Sequence, residues 1–95
     1  MQDEGLSRKA YRVVGRVQGV GFRWWTQRTA CALKLGGWVR NEPDGSVVVH
    51  VVGSAGAVRR LEEALLSGPT GARVDLREEI APTGVMEPGE FRIER

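Results

Sequence analysis

Five valines stand in the seven residues from Ser46 to Val52, SVVVHVV. β-Branched side chains at this density favour extended backbone, where they pack on a pleated surface. The run predicts a strand over Ser46 to Val52, the firmest element in the chain. Both of its ends are punctuated. Before it, Asn41-Glu42-Pro43-Asp44-Gly45 gathers turn formers and predicts a turn. After it, Ser54 is placed to cap a helix that buries Ala57, Val58, Leu61 and Leu65 and stops at Gly68-Pro69.

The remaining elements fall around this strand. Arg8 to Val14 predicts a strand with Tyr11 and Val13 on one face. A helix is expected from Phe22 to about Leu35, with Phe22, Thr26, Ala30 and Leu33 sharing a face and Gly36-Gly37 as its stop. Trp38 to Arg40 begins another strand. Arg73 to Ile80 alternates, with Val74, Leu76 and Ile80 facing one way and Arg73, Asp75, Arg77 and Glu79 the other. Phe91 and Ile93 mark a short last strand, after a loop containing Pro82, Gly84, Pro88 and Gly89. The order is β-α-β-β-α-β with a short extension. That predicts an α+β, ferredoxin-like sandwich, with two helices on one face of a mainly antiparallel sheet. The polar residues 1–7 are expected to form a flexible tail, and residues 8–95 a single domain.

Composition bounds the function. A chain of 95 residues with 41% hydrophobic and 27% charged content reads as one ordinary globular domain. It has no apolar run of membrane-spanning length. Its start, MQDEGLSRKA, lacks the order of a signal peptide. The single cysteine, Cys31, has no partner within the chain for a disulfide. A cytoplasmic monomer with no membrane contact is the expectation. The net charge is only +2, and the arginines are scattered among acids, unlike a nucleic-acid arm.

Chemistry concentrates in VGRVQGVGFR, from Val14 to Arg23. Gly15, Gly19 and Gly21 lie between a predicted strand and a predicted helix. Successive backbone amides in such a turn can form an anion nest. The following helix adds unpaired N–H groups and the positive end of its dipole. Arg23, in its first turn, can fold its fork back over the same anion. By spacing alone, the glycines make a tight turn and Arg23 is a solvated surface residue. Neither GxxxxGK[ST] nor GxGxxG is present. Asn41, at the end of a strand, is either an ordinary turn residue or a fixed amide that orients a water.

These stretches resemble the two signatures of the acylphosphatase family. VVGRVQGVGFR is similar to the first, through Gly15, Val17-Gln18-Gly19-Val20 and Phe22-Arg23. GWVRNEPDGSVVVHVVG is similar to the second, through Gly37-Trp38-Val39, Asn41, Gly45, Val47 and Gly53. The likeness continues through GPTGARVDLREE and FRIER and covers almost the whole chain. Two departures stand out: Lys34 sits where many relatives have glycine, and Gly21 falls at a variable position.

The resemblance implies hydrolysis of a carboxyl-phosphate anhydride without metal, cofactor or covalent intermediate. It implies that Arg23 binds the phosphate and Asn41 positions the attacking water. It also implies that the backbone of Gly15, Arg16, Val17, Gln18, Gly19 and Val20 surrounds the phosphate. The partners implied are a small acyl phosphate and inorganic phosphate. The chain's own chemistry agrees, because it offers no evident acid or metal set near the loop, and only a good leaving group departs unaided. Broad specificity for the acyl group is expected.

Other features read as structural. His50 shares a sheet face with Val48 and Val52, away from Val47, Val49 and Val51. Cys31 lies one position off the helix core stripe. Trp38 is expected in the core, and one of Trp24 and Trp25 is expected to pack while the other is exposed. A nucleic-acid-binding sheet is disfavoured, since no RNP1-like run is present. Intact Arg23 and Asn41 weigh against a catalytically silent domain.

Overall fold

The computed structural model describes residues 5–84 and 87–95. Five strands and two helices follow in the order β1 (Leu6–Arg16), α1 (Phe22–Ala32), β2 (Gly36–Asn41), β3 (Val47–Ser54), α2 (Ala55–Ala64), β4 (Arg73–Ile80) and β5 (Phe91–Glu94). The sheet order is β4-β1-β3-β2-β5. All neighbours are antiparallel except β2 and β5. The valine strand is therefore central, and its residues from Val47 to Gly53 are buried. This is the ferredoxin-like α+β arrangement. No described helix is long and apolar enough to cross a membrane.

Register decides the two faces. Val49 lies opposite Tyr11 on one side and Val39 on the other, and all three are in the core with Phe22, Ala30, Val58, Leu61 and Leu65. Both helices cover this face. Ser54 caps α2 as expected, its Oγ accepting from the Ala57 amide at 3.3 Å. The other face carries Ala10, His50 and Trp38 in one row. Trp38 thus points away from the helices, contrary to expectation. It stacks on His50, with ring centroids 4.0 Å apart, and Arg40 lies over it. His50 is a sheet-face residue as read. Burial first, and then the charges of Arg40 and Arg8, push its pKa down.

Three other features depart from the sequence reading. β1 begins at Leu6, because Leu6 and Ser7 pair with Ser54 and Gly53. Of the expected tail, residues 1–4 lie outside the described residues.

The alternation of β4 breaks at a bulge. Val14 pairs with Leu76 but Gly15 pairs with Val74, which leaves Asp75 as the extra residue. Val74 consequently turns onto the core face, while Leu76 lies on the other face, 50% exposed. Gly15, at φ +138°, is required here, since a Cβ would collide with the Arg73 carbonyl.

The third difference is the end of α1. Lys34, not the glycine pair, takes the left-handed position, at φ +61°. Its amide bonds Cys31 O at 3.0 Å, and the Leu35 amide bonds Ala30 O at 2.9 Å. This is a Schellman closure with lysine at the position that favours glycine. Gly36 and Gly37 instead belong to β2, where Cβ atoms would meet the carbonyls of Glu87 and His50. Lys34→Gly is expected to stabilise the fold by about 0.5–1 kcal/mol. Urea unfolding checks this. An unchanged or lower midpoint would mean that the lysine stem contributes more than its backbone strain costs.

Candidate active site

The connection between β1 and α1 is held at two points. Val17 is buried in the core. Gln18 turns the other way, and its Nε2 donates to both Glu42 O and Ser46 O at 2.9 Å. The loop is thereby tied to the β2–β3 turn, one residue beyond Asn41. That turn is rigid in its own right. Asp44 Oδ1 accepts from the Ser46 amide at 2.9 Å and the Ser46 hydroxyl at 2.6 Å. Arg12 bonds the second oxygen at 2.9 Å. The Arg12 guanidinium, and then Ser46, hold the Asp44 carboxyl well below the usual carboxylate range.

Gly19 and Gly21 both stand at φ +77°, where a side chain is strained. Gly21 is the N-cap of α1. It offers no side-chain cap, and no acid lies in the first turn. The first amides of α1 lack intrahelical acceptors, and no acid in its first turn offsets the positive end of the helix dipole. The sequence has assembled an anion-attracting terminus without supplying its own anion.

A cleft of about 210 Å³ opens at this point. It brings Arg23 and Asn41 together with Gln18 and Gly19, although Asn41 comes from a different strand. Among the described residues, Arg23 has neither an ion pair nor a side-chain hydrogen bond, whereas Arg12 and Arg40 are paired with Asp44 and Glu42. Asn41 Oδ1 is buried, and no described donor meets it. Buried polar oxygens usually have partners. Asn41 itself lines this small cleft, which no acid lines. Among the described residues, no three His, Cys, Asp or Glu side chains form a metal-holding group.

Not every expected loop residue reaches the cleft. Gly15 and Arg16 are the end of β1, paired with Val74 and Arg73. Val20 packs against the core. The cleft also recruits Gly21, Phe22, Trp24 and Ile93, which the sequence reading had not named as site residues. Gly21, Phe22 and Trp24 flank Arg23, so proximity could have suggested them. Ile93 had no such signal, because only the parallel pairing of β5 with β2 carries it there. Trp25 packs, its ring tilted against Phe22 at 5.4 Å, while Trp24 is exposed. His50 and the exposed Cys31 lie outside the cleft.

Comparison with known proteins identifies the family. The acylphosphatase family model matches residues 9–93. An acylphosphatase of Nitratidesulfovibrio vulgaris (strain DP4) is 57% identical over 70 residues, covering 74% of this chain and 70% of that protein. An acylphosphatase of Sinorhizobium medicae is 51% identical over 85 residues, covering 88% of this chain and 89% of that protein. Among solved structures, an acylphosphatase from Bacillus subtilis superposes with a TM-score of 0.85 at 33% identity. The superposition covers 96% of this chain and 100% of that one.

Proposed function

This chain belongs to the acylphosphatase family and is an enzyme of that class, and on that footing we propose that it hydrolyses small acyl phosphates by direct attack of a water on phosphorus. One observation carries the residue roles. A single acid-free cleft is lined by an uncapped helix N-terminus, by Arg23 and by Asn41, and among the described residues Arg23 has no ion pair and the buried Oδ1 of Asn41 has no donor.

The phosphate binds where the loop amides of residues 17–20 meet the start of α1. Arg23 closes over it with paired N–H donors. Gly15 and Arg16 act one step back. Gly15 permits the bulge from which the loop departs, and Arg16 ends the strand before it. Asn41 Oδ1 accepts a hydrogen bond from the attacking water and fixes its approach. Gln18 keeps the two halves in register, because its amide spans from the loop to the turn beside Asn41.

Arginine stays protonated and an amide does not titrate. The cleft therefore supplies position and charge, not proton transfer. That is enough for phosphoryl transfer, whose loose transition state gains mostly from positioning and charge stabilisation. It is not enough for an alkoxide leaving group. A carboxylate departs without protonation, so the anhydride of a carboxylic acid and phosphate is the matching substrate. The proton of the water passes to a phosphate oxygen or to solvent. No metal is needed at any step. The exposed thiol of Cys31 suits a reducing, cytoplasmic setting, and we read the enzyme as a monomer.

The test is the loss of benzoyl phosphate absorbance with EDTA present. Turnover undiminished by the chelator is expected. A folded protein without turnover, or one silenced by EDTA, overturns the reading.

A further inference from the structure

The phosphate end of the cleft accounts for Arg23, Asn41 and the loop. It leaves two side chains unexplained. Trp24 is 59% exposed and Ile93 is 37% exposed. They are two of five exposed large apolar side chains among the described residues, and both line this one cleft. The other apolar lining residues, Val17 and Phe22, are buried beneath it. Trp24 nonetheless has a neighbour on its ring. The Arg28 guanidinium lies 4.7 Å from its ring centre, a cation–π contact. An indole held at the mouth of a phosphate-sized cleft gives solvent-exposed apolar surface a use.

We propose that Trp24 and Ile93 form the wall that receives the acyl group, and that they make the enzyme prefer acyl phosphates with flat, apolar acyl groups, aromatic ones above all. The inference rests on the acyl phosphate reading above and narrows it, in place of the broad specificity the sequence suggested. Once phosphate is seated, the acyl carbon substituent has these two as the exposed apolar surface of the cleft. A phenyl ring buries area against both and stacks or tilts on the indole. A methyl group reaches too little of either to gain much.

The measurement is the ratio of kcat/KM for benzoyl phosphate to that for acetyl phosphate. Trp24→Ala is expected to lower this ratio about tenfold, chiefly through the KM of benzoyl phosphate. Ile93→Ala should lower it about threefold. Trp24→Phe should retain most of it. Leu66→Ala, another exposed apolar residue but outside the cleft, should leave it unchanged. A ratio that stays within twofold in both Trp24→Ala and Ile93→Ala, or that falls equally in Leu66→Ala, overturns the wall. Failure of the wild type on both substrates overturns the acyl phosphate reading instead, and the wall with it.

Discussion

Arg23→Ala is expected to abolish turnover and phosphate binding together while leaving the fold intact. The guanidinium has no described ion pair or side-chain hydrogen bond to lose, so its removal breaks no described polar contact. What it removes is, among the described residues, the one cation lining the cleft. A single preorganised donor to a developing oxyanion is worth about 10²–10³ in rate. A charged, bidentate one belongs at or above the upper end, so kcat/KM should fall by about 10³ or more. Inhibition by inorganic phosphate should weaken at least about tenfold in parallel, since the contact is made in the ground state as well. Arg23→Lys separates charge from geometry. It keeps the charge but loses the fork, and should recover only part of the activity. If phosphate still inhibited Arg23→Ala with nearly unchanged strength, the arginine would not be the phosphate ligand.

Asn41→Ala is expected to divide function from stability in the opposite sense. Its Oδ1 is buried with no described donor, which is a cost the folded chain carries. Truncation removes that cost. Urea unfolding should show the variant as stable as wild type, or more stable by up to about 1 kcal/mol. The same truncation releases the attacking water, so kcat should fall about 10²–10³. Phosphate inhibition should stay within about threefold, because the proposed partner of the amide is the water and not the phosphate. The pairing of a lower kcat with retained stability and retained anion affinity is the diagnostic result. A kcat within a fewfold of wild type would remove Asn41 from the mechanism. A marked loss of stability would show that its amide is structural.

The two residues differ in how readable they were. Arg23 was partly legible, because a glycine loop running into a helix can cradle an anion, but spacing alone favoured a tight turn with a solvated arginine, and the family resemblance decided between the two. Asn41 was not legible that way, since a polar residue at the start of a turn has an ordinary explanation. Its meaning came from the resemblance, and its placement beside Arg23 came from the sheet. Gln18 is a sharper case. Its residue type hints at hydrogen bonding, but nothing local says that both bonds go to carbonyls of a distant turn.

The sequence by itself determined whatever depends on a few neighbouring residues. The central strand follows from a run of β-branched valines, the cap of α2 from one serine, and the buried stripes of both helices from their spacing. The glycine loop, too, is a local choice of backbone. Tertiary structure alone decided what depends on partners far along the chain. The β1–β4 bulge turned Val74 inward against its apparent alternation. Close approach of other backbone claimed Gly36 and Gly37 for β2 and left Lys34 to close the helix. Register faced Trp38 away from the helices, and parallel pairing delivered Ile93 to the cleft. Propensity and capping act within one turn or one strand, whereas register, bulges and close approach exist only between strands already paired.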